Sequence, residues 1–187
     1  MRQSEQEFRG EGIILRTLTA LDAPQVLQFY EKNKEIFNPY EIEKPSNFYT
    51  LAFQRQLLNA EQEAARRGQQ LRLFLFDEQF DDTIIGTISF SNIKHGAFEH
   101  CSTGYKIDSE YFRMGYGTRM LTLATFAATH SLGLHRIEAY IQLHNLPSIH
   151  LARRCGYHEE GIARDYVQIG GKWEDHLRYV YIADEYQ

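Results

Sequence analysis

Cysteine is nearly absent from the 187-residue chain, which holds only Cys101 and Cys155. Two thiols cannot build a disulfide framework, and a reducing, cytoplasmic setting is the expectation. Long hydrophobic runs are also missing. The apolar stretch within residues 83–90 falls far short of the ~20 residues that cross a bilayer, so no membrane segment is expected. The opening stretch MRQSEQEFRG has no apolar core of the kind a secretory leader carries. Basic charge is scarce: 20 Lys and Arg stand against 25 Asp and Glu, for a net charge of −5. Binding nucleic acid through its phosphates needs a basic field, so direct nucleic-acid binding is not expected. A mildly acidic surface suits a positively charged acceptor better. The eight histidines show neither HExxH nor a Cys/His ligand spacing, so no metal is expected. No G-x-S-x-G elbow is present to support a serine hydrolase. Cys155, directly before Gly156, reads as a small buried residue rather than a nucleophile.

What remains is a soluble, globular composition, 43% hydrophobic and 24% charged. No repeat, low-complexity segment or Pro/Gly/Ser-rich linker divides the chain, which predicts a single domain over residues 1–187. GIILRTL (12–18) reads as a first strand. ALDAPQVLQFYEKNKEIF (20–37) follows as a helix with Asp22 as N-cap and Pro24 in its first turn. Residues 38–47 form a loop, and a second helix covers 48–67, closed by Gly68. Strands are predicted at 71–76, 83–92 and 100–108. Gly86 and Gly104 interrupt the last two, each marking a bulge or a close backbone approach. A helix follows over 116–131, then a strand over 135–144 and a short helix over 146–155. Two final strands, 157–168 and 172–182, meet at the Gly170–Gly171 turn. This order implies an α/β (α+β) fold, a mixed sheet with helices on both faces.

Three stretches carry candidate chemistry. In FRMGYGT, Gly115 and Gly117 alternate between a strand and a helix start. Such a loop turns successive N–H groups toward one point at the positive end of the helix, which makes an anion site suited to a diphosphate. The bland alternative is an ordinary turn. The loop is not a dinucleotide fingerprint, because Met120 stands where a third glycine would be, and no Lys-Ser/Thr pair makes it a P-loop. In IEAYIQLHN, Glu138, Tyr140, Gln142 and His144 alternate with apolar residues and so share one strand face. That face belongs either to a solvent-exposed edge strand or to a cleft. In a cleft, Glu138 is a candidate base and Tyr140 a hydrogen-bonding partner. In NLPSIHLARRCGY, Asn145 precedes Ser148 by three residues, and both can serve as simple helix caps.

Taken in order, LRTLTALDA, GTISFSN, GYKIDSEYFRMGYGT and HRIEAYIQLHNLPSIHLARRCGYHEEG resemble the GNAT superfamily of acetyl-CoA-dependent N-acetyltransferases over nearly the whole chain. The tail EEGIARDYVQIGGKWEDHLRYV and the loop NPYE resemble the branch that acetylates the N-terminal amine of ribosomal proteins. The resemblance implies a mixed, mostly antiparallel sheet of about seven strands with helices on both faces. It implies that the loop Phe112-Arg113-Met114-Gly115-Tyr116-Gly117, continuing to Thr118, binds the cofactor diphosphate. Phe112 departs from the family's polar first residue, but the backbone N–H groups are what bind. It also implies that Tyr105, Lys106 and Ile107 pair with the pantetheine arm beside a splayed neighbouring strand, that the Ile107 amide polarises the thioester, and that Asn145 contacts the cofactor. A tyrosine that many members carry seven residues after the asparagine is replaced by Ala152, and in the ribosomal-protein branch Ser148 is the substitute acid. Glu138 is the first choice of base, with Tyr140 and His144 as alternatives.

The expected activity is therefore acetyl transfer from acetyl-CoA to a primary amine, foremost the α-amine of a ribosomal protein N-terminus. Glu41 and Glu43 are expected to attract a basic acceptor or to form a solvated face. Two rivals stay open: a small amine as acceptor (an aminoglycoside, a polyamine or an amino acid), and a non-catalytic acyl-CoA-binding module.

Overall fold

An eight-stranded sheet organises the chain in the order β1-β2-β3-β4-β5-β6-β8-β7. The strands are β1 (Glu7–Gly10), β2 (Ile13–Arg16), β3 (Leu71–Asp77), β4 (Gly86–Lys94), β5 (His100–Ile107), β6 (Arg136–Gln142), β7 (His158–Ile169) and β8 (Lys172–Ile182). The structure, a computed structural model, describes residues 6–80 and 82–183. Residues 1–5, part of the stretch inspected for a leader, lie outside that range. All neighbouring strands pair antiparallel except β5 and β6. The strand beyond the expected number is β1, whose EFRG pairs from Glu7↔Arg16 to Gly10↔Ile13. Four residues with a single large apolar side chain give no periodicity to read; the strand exists because β2 offers it an edge.

The helices are α1 (Ala23–Lys32), α2 (Lys34–Phe37), α3 (Leu51–Arg66), α4 (Tyr116–His130) and α5 (Leu146–Arg154). They bury two cores, one on each face of the sheet. Met120, Leu121, Ala124, Ile149 and Ala152 of α4 and α5 pack with Leu73, Ile88, Phe90 and Ile137. Val26, Phe29, Tyr30, Phe37 and Leu58 of α1, α2 and α3 pack with Ile14, Phe74 and Phe76. No helix among the described residues is long and apolar enough to cross a membrane.

The helix expected over 20–37 is divided. Thr19 caps a 3-10 turn at Ala20–Asp22: its side chain accepts from Leu21 N, and its backbone N–H donates to the Asp22 carboxylate at 2.7 Å. Asp22 therefore closes a capping box backwards instead of capping α1 with its side chain. The second break falls at Asn33, which is fully buried. Its amide donates to Phe29 O at 3.0 Å, and its oxygen accepts from Ser109 N, also at 3.0 Å. The break thus fastens the α1–α2 corner to the segment that leaves β5. The next helix starts at Leu51, later than expected, because Thr50 caps it and Phe48 turns into the core.

Gly86 and Gly104 serve different ends. A Cβ on Gly86 would lie 2.6 Å from Lys106 O, so glycine there permits close strand approach. A Cβ on Gly104 would meet nothing within 4 Å. The strand over 136–142 is not an edge: β6 lies between β5 and β8. Its parallel ladder with β5 runs only from His100↔Arg136 to Thr103↔Ala139. Beyond that point Gly104–Ile107 stay paired with β4, and Tyr140–Gln142 stay paired with β8. Each strand is held by its outer neighbour, so the sheet forks.

Candidate active site

The fork opens into a cleft of about 750 Å³. Residues from both sides of the sheet line it: Phe37, Tyr40 and Glu41 from the α2 side, and Gly117, Ser148 and Leu151 from the α4–α5 side. It is therefore a passage through the sheet rather than a dent in one face.

At one end lies the loop from Phe112 to Gly117. Arg113 and Gly115 both have left-handed backbones, with φ of 62° and 82°, and Gly115 is the N-cap of α4. Alternating left-handed residues turn neighbouring N–H groups inward, and the N–H groups from the N-cap Gly115 to Thr118 lack intrahelical acceptors, the first helical bond being Arg119 N–H to Gly115 O at 3.1 Å. Together they form a concave row of donors at the positive end of a 15-residue helix. The side chains of Phe112 and Met114 stay exposed, and so does that of Arg113. Tyr116 turns away to donate to Asp77 Oδ2 at 2.5 Å, so what it offers the loop is its backbone. A Cβ on Gly117 would come within 3.2 Å of Leu151, which keeps α4 close to α5 at the cleft wall. The loop, the fork and the cleft between them fit an elongated thioester with an anionic end.

Ser148 sits in the first turn of α5, placed by Asn145, whose side chain accepts from Ser148 N at 3.3 Å. Asn145 is thus a helix cap that also lines the cleft. Ser148 Oγ donates to the Tyr105 hydroxyl at 2.9 Å, and that hydroxyl donates to Ser148 O at 3.2 Å. Burial pushes the Tyr105 phenol up to about 12, against a smaller opposing effect of the Ser148 hydrogen bond. Ala152, at the position of the missing tyrosine, is a fully buried methyl packed in the core. The Ser148–Tyr105 pair thus supplies hydrogen-bonded hydroxyls on this side of the cleft. Reading Tyr105 for its backbone alone missed this; its position on the same strand as Lys106 gave no sign of a partner on α5.

On the other strand of the fork, Tyr140 lines the cleft and Glu138 lies behind it. Tyr140 donates to Glu138 Oε2 at 2.8 Å, and Arg136 Nε donates to Glu138 Oε1 at 2.7 Å. Burial alone would raise the Glu138 carboxyl, but the bonds from Tyr140 and Arg136 and the guanidinium charge outweigh it and hold it below the ordinary carboxylate value. Burial and the Glu138 hydrogen bond push Tyr140 up to about 12. The Tyr140 ring stacks on Tyr166 with centroids 4.1 Å apart and planes 6° apart. Tyr166 reaches it because β7 bulges between Ala163 and Val167, where Asp175 binds Arg164 at 2.6 Å and the Asp165 N–H at 2.9 Å.

Glu41 and Glu43, expected either to attract a basic acceptor or to form a solvated face, differ from one another. Glu41 is paired with Lys106 of β5 and with Lys44 at 2.5 Å. Burial would raise its carboxyl, yet the two lysines hold it low. It latches the segment at 38–44 onto β5, while Glu43 is exposed. The latch sets Tyr40 opposite His144, ring centroids 5.9 Å apart. The sequence reading did not single out Tyr40, Gln142 and His176, all of which line the cleft. Gln142 had a signal, its place on the Glu138–Tyr140 face. His176 had none, because its register opposite Gln142 depends on how β8 pairs with β6.

The family profile of the acetyltransferase (GNAT) domain matches residues 13–158. The chain belongs to the GNAT family. It is an acetyl-CoA-dependent N-acetyltransferase. It is similar to the probable N-acetyltransferase YjcK of Bacillus subtilis (strain 168), with 34% identity over 90% of this chain and 93% of that protein. It is also similar to the [ribosomal protein uS5]-alanine N-acetyltransferase of Escherichia coli (strain K12), with 31% identity over 89% of this chain and 86% of that enzyme. The ribosomal-protein-S5-alanine acetyltransferase of Vibrio fischeri shares its fold with a TM-score of 0.90 and 28% identity over 98% of this chain and 100% of that one. These GNAT relatives and the open, mostly antiparallel sheet agree in fold.

Proposed function

We propose that this N-acetyltransferase acetylates the α-amine of a protein N-terminus, with ribosomal protein termini beginning in alanine as the first candidates. The observation that carries this reading is that the carboxylates lining the inner cleft and lying behind its wall are already paired with donors and cations. Glu41 is held by Lys106 and Lys44, and Glu138 by Arg136 and Tyr140. Carboxylates held low are weak bases. An α-amine, with pKa near 7.7–8.0, is already partly neutral at pH 7, and freeing it costs about 1 kcal/mol. A lysine or polyamine nitrogen near 10.4 costs about 4.6 kcal/mol and would need a stronger base. The likeness to uS5-alanine acetyltransferases supports the same acceptor class.

In this reading the N–H groups of Arg113 to Thr118 cradle the acetyl-CoA diphosphate, and the backbone of Tyr105, Lys106 and Ile107 pairs with its arm. The Ile107 amide polarises the thioester carbonyl, and Asn145 borders the reacting group. The amine enters from the α2 side of the passage and attacks the carbonyl directly, so proximity within a ternary complex supplies much of the acceleration. After attack the charged nitrogen of the tetrahedral adduct is more acidic than the free ammonium, and its proton then leaves through the Tyr140 hydroxyl toward Glu138, weak base though that is. Ser148, hydrogen-bonded to Tyr105, donates a proton to the departing thiolate.

The test is incubation with acetyl-CoA, Ala- and Ser-initiated peptides and small amines, following thiol release and the mass of each acceptor. A gain of one acetyl group at the peptide α-amine is expected. Acetylation of small amines with no peptide modified overturns the peptide acceptor, and tight cofactor binding with no acceptor modified overturns catalysis altogether.

A further inference from the structure

Three buried acceptor atoms on cleft-lining residues lack a hydrogen-bond partner among the described residues: Glu41 Oε2, which is nonetheless ion-paired with Lys44, Thr103 Oγ1 and Gln142 Oε1. A hydroxyl such as Thr103 can rotate and donate instead, but an amide carbonyl can only accept. Gln142 is 4% exposed, so water does not freely satisfy that oxygen. A buried, unpaired carbonyl in an enzyme cleft is a standing free-energy penalty that a donor on the ligand relieves.

The surroundings identify the donor. Gln142 lies on the end of β6 that β5 no longer pairs with, two residues beyond Tyr140 on the same strand face and opposite His176 of β8. The charged and titratable groups around it come from several elements. On β6 they are Tyr140 and Glu138, the latter paired with Arg136. On β8, His176 bonds Glu174 O at 3.0 Å and Arg178 pairs with Glu160 at 3.3 Å. Lys106 of β5 is paired with Glu41, and Tyr40 and His144 stand across the mouth from one another. Glu35 of α2 sits at the rim, exposed. Within the cleft the acceptor left unused is therefore a neutral one.

We propose that the Gln142 side-chain carbonyl receives an N–H hydrogen of the attacking amine and, being uncharged, does so without trapping that amine as ammonium. A carboxylate at the same place would favour the charged, non-nucleophilic form and raise the amine's pKa. Gln142 is thus a substrate-binding residue that selects a neutral nitrogen donor. The inference rests on acetyl transfer to an amine and is independent of whether that amine begins a peptide.

The test compares wild type with Gln142→Met, which keeps the side chain's length, and Gln142→Glu, which adds the charge. Acceptor KM, the pH profile of kcat, acetyl-CoA affinity by calorimetry and thermal unfolding are measured for each. Gln142→Met is expected to raise acceptor KM about tenfold, the worth of one buried hydrogen bond, with acetyl-CoA affinity unchanged. Gln142→Glu is expected to move the acidic limb of kcat, which reports the bound amine, up by about one pH unit. A structural role alone would not move that limb. An unchanged acceptor KM in folded Gln142→Met overturns the proposal, and that variant decides alone if the buried charge unfolds Gln142→Glu. If wild type acetylates only a small amine, the peptide reading fails and the same comparison is run on that amine.

Discussion

Replacing Gly86 with alanine tests how β5, the strand proposed to pair with the acetyl-CoA arm, is held. The new Cβ would lie 2.6 Å from Lys106 O and 2.8 Å from Ile107 Cδ1. The isoleucine methyl can rotate away, but the carbonyl oxygen moves only if β5 moves. Overpacking of this kind costs about 2 kcal/mol, within the usual 1–3. For a chain of this size that lowers Tm by roughly 4–8 °C. Because β4 holds β5 on the far side of the fork, the shift should also displace Lys106–Ile107 and weaken acetyl-CoA binding. Gly104→Ala is the contrast. Its Cβ meets nothing within 4 Å, and trimming the unfolded chain's freedom stabilises by roughly 0.4–1 kcal/mol. Its methyl nonetheless borders the cleft, so acceptor KM should rise while Tm increases by roughly 1–4 °C. Scanning calorimetry and acetyl-CoA titration measure both. A Gly86→Ala protein that melts with wild type, or a Gly104→Ala protein that loses as much stability, refutes the close-approach explanation.

Other substitutions probe the site directly. Gly115→Ala forces a side chain into φ of 82°, at a cost of about 1–2 kcal/mol, and should weaken acetyl-CoA binding about tenfold by calorimetry with little change in acceptor KM. Ser148→Ala should lower kcat about 10²-fold without altering acetyl-CoA affinity, as expected for loss of a proton donor; a kcat within twofold of wild type removes Ser148 from that role. Glu138→Gln should slow turnover and change acid stability. The Glu138 carboxyl is held low when folded, so its contribution is present above the ordinary carboxylate range and is lost as pH falls through its depressed value. The stability gap between wild type and Glu138→Gln, read by urea unfolding, should therefore be largest near pH 7 and close below about pH 4.

The sequence reveals those parts whose signals are local. The paired glycines before α4, the Gly170–Gly171 turn between β7 and β8, and the period-two alternation of Glu138, Tyr140 and Gln142 are each visible in a few residues. What escapes depends on contacts distant in sequence. EFRG becomes β1 only because β2 presents an edge, and Asn33 breaks a helix to bind Ser109, 76 residues away. Alternation places Glu138 and Tyr140 on one face but not in order of depth. That order follows from Arg136 and Glu160, which draw Glu138 back from the cleft. Tyr166 stacks on Tyr140 through a bulge cinched by Asp175, and a bulge breaks the very period by which a strand is read. Glu41 reads as an exposed loop carboxylate until β5 brings Lys106 to it.

Acetyl transfer through the forked sheet to a peptide α-amine is tested most directly by mass spectrometry of an Ala-initiated peptide after incubation with acetyl-CoA. The same peptide with a blocked N-terminus and one internal lysine serves as the control. One acetyl group on the free α-amine, with thiol released in equal amount and the blocked peptide untouched, is the expected result. Acetylation of the lysine in the blocked peptide, or of small amines with the free peptide unmodified, would contradict it.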